Sequence, residues 1–264
     1  MDENVCKLVS TRGIKKAFEN HHNVFYIRNH ELCTFIIPDK PFILITGDSD
    51  TTIDMNTLNA LKILTSNNLI HWFSQNLGLI NSKCSHIPIG IDYHSLSPEE
   101  FNESVSWWGS KQFPLFQEAQ LLGIKSEIIP KIPKIYCNFI HALSLPERAE
   151  CIKKVKHTLL VIEQEKVSRI TTWTNMAKYK FVLSPFGVGL DCHRTWEALI
   201  LGCIPIVKSS CIDPVYEGLP VWIVKDWGEA NNPKNCPVTN DGTMHNKITK
   251  KYWINKIATY LKEK

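Results

Sequence analysis

The most informative part of this sequence is KFVLSPFGVGLDCHRTWEALILGCIPIVK, residues 180–208. An apolar run over 180–185 leads into a loop with Gly187 and Gly189, and a helix-like pattern over 191–202 precedes a second apolar run. Apolar strands that alternate with helix-period segments are typical of α/β proteins with parallel strands. The stretch therefore predicts a strand, a glycine loop, a helix and a second strand.

The same alternation occurs on both sides of a Pro-rich segment, IIPKIPK, at 128–134. Before it, NVFYIR (23–28), PFILITG (41–47) and CSHIPIGID (84–92) predict strands, the last one entering a loop. At roughly 100 to 200 residues per domain, a chain of 264 residues accommodates two α/β halves that meet near residue 131. Helix or strand stays open for 56–65 and 68–73, and 97–114 predicts a loop or lid. After the segment, strands are predicted at 134–140, 158–163, 180–185, 203–208 and 220–227, and helices at 146–157, 171–179 and 191–202.

The charge of the chain argues against nucleic acid as a partner. Lys and Arg number 30 against 26 Asp and Glu, a net charge of +4, and residues 244–264 contribute six Lys and one Glu. In that tail Trp253, Ile257 and Leu261 have helical spacing, so the lysines form the solvated side of an amphipathic helix. Nucleic-acid binding would need interleaved Arg and aromatic residues on a basic surface.

Composition and cysteine usage favour a folded, cytoplasmic protein. With 44% hydrophobic and 21% charged residues, the chain is neither disordered nor fibrous in composition. Its nine cysteines are an odd number without a C-x-x-C pair, which argues against a disulfide scaffold and a zinc site. No apolar run approaches the roughly 18 residues that cross a bilayer. We expect a reduced compartment, no metal and no membrane span.

The loop and helix of the opening stretch have the composition of an anion site. Gly187 and Gly189 let the backbone approach a ligand, and Asp191 is predicted to cap the helix. The first-turn amides favour a phosphate, and Arg194 can add a bidentate contact to a diphosphate. Glu197, one turn later, is placed to accept from ribose hydroxyls. The pattern predicts a sugar nucleotide or dinucleotide, although Arg194 and Glu197 also fit a simple surface pair.

These residues resemble a known family. The run SPFGVGLDCHRTWEALILGCIPIV (184–207) and the following LPVWIVKDW (219–227) resemble the C-terminal half of exostosin-like glycosyltransferases, including those of bacteria and large DNA viruses. The segment IPIGIDYHSL (87–96) is similar to an element of the N-terminal half of that family. The resemblance is strong over about 134–227 and weak before it.

The resemblance implies an α/β protein of the GT-B type, with two Rossmann-like domains whose parallel sheets face a cleft. Its domains would be an acceptor domain over 1–130, a nucleotide-sugar domain over 131–245 and a C-terminal helix over 246–264 that packs back on the body. The implied reaction is an inverting, metal-independent transfer of a sugar from a UDP-linked donor, such as UDP-xylose or a UDP-hexose, to a glycan hydroxyl. No cofactor is required. The implied donor-binding residues are Ser184, Gly187, Gly189, Asp191, His193, Arg194 and Glu197.

An inverting transfer needs a general base, which we expect at the ends of strands in the first half. Asp48 and Asp50 follow the strand FILIT, and Asp92 and His94 follow HIPIG, so these four are the candidates. Asp48-Ser49-Asp50 also spells the D-x-D triplet that holds Mn²⁺ or Mg²⁺ in the other large glycosyltransferase fold. A polar turn after the strand explains Asp48 and Asp50 as well as a catalytic role does.

Two further functions stay open. One is a non-catalytic glycan-binding or partner subunit of a glycosyltransferase complex, since no base is obvious in the first half. A Rossmann-type oxidoreductase is disfavoured, because no strand is followed by a complete G-x-G-x-x-G. Trp107 and Trp108, in the irregular segment, are candidates for stacking on sugar rings or for the core. The donor sugar, the acceptor, the linkage and the oligomeric state do not follow from the sequence.

Overall fold

The computed structural model describes residues 5–93, 114–126 and 130–262. These residues form an α/β structure with two sheets, of four and five strands, in which all neighbouring strands are parallel. The predicted α/β class is therefore confirmed. Across the described ranges, no helix has both the length and the apolar character that a bilayer crossing requires.

The first sheet keeps its strands in chain order. It consists of β1 (Val24–Arg28), β2 (Phe42–Gly47), β3 (Leu69–Ser74) and β4 (Cys84–His86). Strand β2 is buried along its whole length, as its continuous apolar run predicts for a central strand of a parallel sheet. Of the predicted strand at 84–92, only the first three residues pair in the sheet, and the remainder runs on beyond it as a loop.

The second sheet reverses its strand order once. It consists of β5 (Ile132–Cys137), β6 (Leu160–Ile162), β7 (Tyr179–Leu183), β8 (Ile204–Lys208) and β9 (Trp222–Val224). The spatial order is β6-β5-β7-β8-β9, so the chain moves one way from β5 to β6 and the other way from β7 onward. All five strands predicted for this half are confirmed.

The Pro-rich segment does not interrupt the sheet in the way its composition suggests. Strand β5 begins inside it, at Ile132, and includes Pro133. The pairing of β5 with β7 shifts register between Ile132 and Ile135, around this proline. Proline lacks a donor for the ladder, and a bulge is one of the few places where a strand tolerates it.

The helices surround both sheets, and those at Thr11–Phe18 and Pro114–Ser126 were not predicted. The helix at Thr11–Phe18 is capped by Ser10, whose side chain accepts from the Gly13 amide at 3.0 Å, and it buries Ile14 and Phe18. Only these two apolar residues mark its inner face, and Gly13 looks like a helix breaker, so the pattern was too weak to read. The helices are α1 (Thr11–Phe18), α2 (Ala60–Leu64), α3 (Pro114–Ser126), α4 (Pro146–Lys154), α5 (Arg169–Met176), α6 (His193–Ile200) and α7 (Lys250–Lys262).

The C-terminal helix α7 packs on the first sheet. Right-handed connections place the crossovers of a sheet with strands in chain order on one face, so the other face needs a separate cover. The Tyr260 ring lies 4.0 Å from the His71 ring of β3, and Trp253 and Ile257 share a core cluster with Phe73. Helix α7 therefore completes the first half of the protein, although it comes last in the chain.

Core packing joins the two halves. One apolar cluster contains Ile43 and Phe73 of the first sheet together with Val182 and Trp196 of the second half. Separate clusters lie on the outer faces of each sheet. The expected lid at 97–114 falls outside the described residues except for Pro114, which begins α3. The boundary expected near residue 131 lies between the two sheets, and the core continues across it.

Candidate functional site

A cleft of about 580 Å³ lies where the strand order of the second sheet reverses. Asn138 and Phe139 follow β5, and Gly187 and Gly189 belong to the loop after β7; all four line this large cleft. At a reversal, the loops of adjacent parallel strands turn toward opposite faces of the sheet, so a crevice opens at their carboxyl ends. The glycine loop singled out in the sequence therefore lies at the position where α/β sheets bind ligands.

The two glycines of the loop have different neighbours. The Gly187 amide donates to the Gly189 carbonyl at 3.1 Å, which folds the loop tightly. A Cβ on Gly187 would make ordinary contacts, the nearest with Arg148 Nη2 at 3.4 Å and Cys192 Sγ at 3.7 Å, whereas one on Gly189 would lie 2.8 Å from Asp50 Oδ1 and 2.9 Å from Asn76 Nδ2. Gly187 thus borders the large cleft beside a cation. We expected a ligand to approach Gly189 closely, but Asp50 and Asn76 of the first half of the protein lie there instead.

Two arginines form one wall of the large cleft, beside the buried Phe139 ring. The guanidinium carbon of Arg194 lies 5.2 Å from the ring centre, and that of Arg148 lies 6.0 Å from it. Arg194 Nε donates to Asn138 Oδ1 at 2.6 Å, and Arg148 Nε donates to the Phe186 carbonyl at 3.3 Å. Within the described ranges, no carboxylate forms an ion pair with either guanidinium.

The electrostatics of this wall favour an anion. Burial, and then the charge of Arg194, lower the pKa of Arg148. Arg194 Nη1 is buried and has no hydrogen-bond partner among the described residues. A buried donor without a partner costs free energy that an anionic ligand recovers through charge-assisted hydrogen bonds. Two neighbouring cations that find no counter-ion in the described part of the chain are best explained by a ligand with more than one negative charge.

The start of helix α6 also faces the large cleft, but its cap differs from the prediction. The N-cap residue is Cys192, which makes no side-chain capping hydrogen bond. The interpretation of Asp191 as the cap is wrong, because its carboxylate is turned inward and is 3% exposed. It accepts from the Ile89 amide at 2.7 Å, Trp196 Nε1 at 2.9 Å and Tyr216 Oη at 3.1 Å. Burial raises the pKa of Asp191, which joins the two halves beneath the cleft.

Two other predicted donor-binding residues lie deeper than expected. The Ser184 side chain is buried below the glycine loop, 2.8 Å from the Thr195 hydroxyl, and it does not line the large cleft. Glu197 lines the floor of the cleft and is 5% exposed. Its Oε1 lies 3.0 Å from Arg169 Nη2, and Arg169 Nη1 donates to Gln117 Oε1 at 2.7 Å. Glu197 is therefore one member of a buried ion pair, not of a surface pair with Arg194.

A pocket of about 200 Å³, the small pocket, lies on the first sheet's side of the large cleft. Asp48 lines it, and its carboxylate contacts Arg12 Nε at 3.0 Å and Arg28 Nε at 3.7 Å. The two cavities adjoin, because four residues line both of them: Asp50, Ile89, Asp92 and His193.

The candidate bases are thus separated by the structure. Asp50 and Asp92 lie at the junction of the cavities, whereas Asp48 is ion-paired with arginines at the far side of the small pocket. His94, Trp107 and Trp108 lie outside the described residues. No group of three His, Cys, Asp or Glu suited to a metal ion occurs in residues 5–93, 114–126 and 130–262, and the D-x-D alternative stays a prediction.

Sequence reasoning missed Arg148 and Asn76. Arg148 is the third residue of α4, and the helix that follows a parallel strand begins at the carboxyl edge of its sheet, so its position could have been read from topology. Asn76 follows β3 with φ of 50° and is 2% exposed. Its Nδ2 donates to the Ser49 carbonyl at 3.1 Å and its Oδ1 accepts from the Asp191 amide at 2.9 Å. Local sequence gives no signal for such a bridge.

No protein-family model matches this chain, and a comparison with curated proteins finds no match either. The arrangement of charges around the two cavities is therefore the basis for any functional conclusion.

Proposed function

We propose that this protein is an inverting, metal-independent glycosyltransferase of GT-B architecture, which moves a sugar from a nucleotide-sugar donor to a glycan hydroxyl. One observation carries the proposal: the cleft that holds Arg148 and Arg194, which form no ion pair with any described residue, opens directly into a pocket lined by Asp48, Asp50 and Asp92. Glycosyl transfer needs both environments next to each other, since a negative leaving group departs on one side and a hydroxyl loses its proton on the other.

The donor would bind in the large cleft. Its diphosphate fits beside Arg148 and Arg194, where the start of α6 adds backbone amides that no capping side chain occupies. Gly187 leaves room for the phosphates to approach the backbone. Glu197, held by Arg169 on the floor of the cleft, is the proposed acceptor for the ribose hydroxyls. The resemblance to exostosin-like enzymes favours uridine diphosphate as the nucleotide.

The acceptor would bind in the small pocket, with one hydroxyl directed to the junction. In the reaction, the acceptor oxygen loses its proton to a base and forms a bond to the anomeric carbon of the donor sugar. The bond from that carbon to the diphosphate oxygen breaks on the opposite face, and its electron pair stays with the diphosphate. Arg148 and Arg194 are placed to stabilise the charge that develops there.

The proposal is tested by calorimetric titration of UDP, GDP and UDP-sugars into wild type, Arg148→Ala and Arg194→Ala. A charge-assisted hydrogen bond contributes about 1.5 to 3 kcal/mol, so each substitution should weaken UDP binding by roughly 10- to 100-fold. The matched control is Arg12→Ala, which removes an arginine of the small pocket that is ion-paired with Asp48. It should change UDP affinity by less than about threefold.

Nucleotide binding that survives both substitutions would contradict the assignment of the large cleft, and wild type that binds no nucleotide would contradict the proposal. Mass spectrometry of UDP-sugar mixtures separates the enzyme from the non-catalytic alternative. Release of UDP and free or transferred sugar by the isolated chain supports the enzyme. Binding without any donor cleavage, across UDP-glucose, UDP-galactose, UDP-xylose and UDP-N-acetylglucosamine, supports the glycan-binding or partner subunit.

A further inference from the structure

His193 occupies the point where the two cavities meet. It is the first residue of α6 and lines both the large cleft and the small pocket. Arg194, the next residue, belongs to the cationic wall, while Asp50 and Asp92 line the acidic side of the same junction. A side chain in this place lies between the proposed leaving group and the proposed acceptor, where proton transfer has to occur.

The structure also fixes which nitrogen of the ring carries the proton. His193 Nδ1 lies 2.7 Å from the Gly90 carbonyl oxygen. A carbonyl can only accept, so Nδ1 must hold the hydrogen, and in the neutral ring Nε2 then has a free lone pair. No other hydrogen bond of this side chain occurs within the described part of the chain. Nε2 is therefore available to take up a proton.

Gly90 is itself locked in place, which fixes the direction of its carbonyl. Its φ is 69°, in the left-handed region, and a Cβ at this position would lie 2.1 Å from the Val9 carbonyl oxygen. The Ile91 amide donates to the same Val9 oxygen at 2.8 Å, and the Ile89 amide donates to Asp191. The segment on both sides of Gly90 is thus bonded to its surroundings, and the imidazole is oriented by rigid backbone.

We propose that His193 is the general base of the transfer, an assignment that rests on the proposed function. Its Nε2 takes the proton of the acceptor hydroxyl while the acceptor oxygen bonds to the anomeric carbon and the diphosphate departs with the bonding electrons. Asp50 and Asp92 then act on the imidazolium through their negative charge, since they line the junction in which it forms. An orienting acceptor on one ring nitrogen and the reacting proton on the other is a recurrent arrangement in acid–base catalysis.

The discriminating variant is His193→Asn. Its side-chain amide can still donate to the Gly90 carbonyl from the position of Nδ1, but it offers nothing in the position of Nε2 that can take up a proton. Removal of a general base costs typically 100- to 10,000-fold in rate. We expect donor cleavage or transfer to fall by at least about 100-fold, while the dissociation constant of UDP stays within about threefold of wild type. The matched control His157→Asn changes an exposed histidine outside both cavities and should leave both values unchanged.

A second measurement separates catalysis from a purely structural role. In His193→Gly, free imidazole added to the solution should restore part of the lost turnover in a concentration-dependent way, which a structural defect would not allow. Asp50→Asn and Asp92→Asn should each reduce turnover less than His193→Asn does. Turnover within a few fold of wild type in His193→Asn, or its abolition only by an aspartate substitution, would overturn the base assignment and leave the proposed function standing. Wild type that binds no nucleotide would overturn the proposed function instead.

Discussion

The two sheets are made of the same parallel α/β units, yet only the second reverses its strand order. In the first sheet, β1 to β4 follow one another in space as they do in the chain, whereas the second sheet changes direction between β5 and β7. The large cleft lies at this reversal and is bordered by Asp50, Ile89 and Asp92 of the first half, and the small pocket lies at the ends of the first sheet's strands. Strand order, and not strand composition, decides which half can hold a large ligand.

The halves also differ in the burial of the charged side chains near the two cavities. In the second half, Arg169 and Glu197 form a buried ion pair beneath the cleft, and Arg148 and Arg194 face the cleft without a counter-ion among the described residues. The ion pair of Arg12 and Asp48 in the first half is exposed. A buried charge without a partner is costly, so Arg148 and Arg194 gain more from an anionic ligand than an exposed, paired arginine does. Four predictions examine this difference.

The largest expected effect concerns the two ion pairs. Glu197→Gln leaves the buried Arg169 guanidinium without a counter-charge, and we expect it to lower the free energy of unfolding by about 3 to 5 kcal/mol. Asp48→Asn breaks the pair with Arg12, in which the Asp48 side chain is 25% exposed and the Arg12 side chain is 50% exposed. This substitution should lower the free energy of unfolding by less than about 1 kcal/mol. Urea denaturation of both variants measures the difference. Equal losses would show that the two halves do not differ in this respect.

The second prediction concerns pH and the first sheet alone, since no strand of the second sheet contains a histidine. Burial, with a smaller contribution from Lys256, lowers the pKa of His71 to about 4. The neutral ring, packed on Tyr260 and bonded to Ser85 at 2.8 Å, is the folded form. The contribution of neutral His71 to the free energy of unfolding is therefore present above pH 6.5. It is lost as the pH falls toward 4, and the total loss is about 3 kcal/mol.

Denaturation at pH 7 and at pH 4.5 measures this contribution. His71→Gln retains a partner for Ser85 and cannot be charged, so its unfolding free energy should fall less between the two pH values than that of wild type. The same fall in both proteins would mean that His71 is not the group responsible.

The third prediction separates the glycines of the loop. Gly189→Ala places a methyl group 2.8 Å from Asp50 Oδ1 and 3.1 Å from Asp50 Cα, so it forces the two halves apart and should cost about 1 to 3 kcal/mol. The methyl group of Gly187→Ala would have no neighbour closer than Arg148 Nη2, at 3.4 Å, so this variant should fold normally but bind UDP more weakly. Thermal unfolding and calorimetry on the pair make the comparison. A destabilised Gly187→Ala would show that this glycine serves packing as well.

The smallest effect concerns the starts of two helices. In α1, the Ser10 side chain accepts from the Gly13 amide, and Ser10→Ala should cost about 1 kcal/mol. In α6, Cys192 provides no such bond, and Cys192→Ser should stabilise the protein by up to about 1 kcal/mol. The new hydroxyl would also compete with an anion for the helix amides, so UDP affinity should fall slightly. Unchanged stability in Cys192→Ser would indicate that these amides already have partners.

Much of the fold could be predicted from local patterns. Apolar runs predicted the strands of the second sheet. The helix-like pattern predicted over 191–202 ends at Gly202, which has φ of 74° and whose amide donates to the Leu199 carbonyl at 3.1 Å. Helix α1 was not predicted, because it buries only two large apolar side chains, Ile14 and Phe18. Patterns that depend on neighbours within one element are readable, since hydrophobic periodicity is a local property.

Local sequence patterns were enough to predict the α/β class, the glycine loop at the start of α6 and Arg194 beside it. The role of Asp191 in joining the halves, the pairing of Glu197 with Arg169 and the place of His193 at the junction follow from the fold and not from local patterns. The reason is distance along the chain. His193 Nδ1 bonds to Gly90, and these residues meet only because the carboxyl ends of two separate parallel sheets face each other.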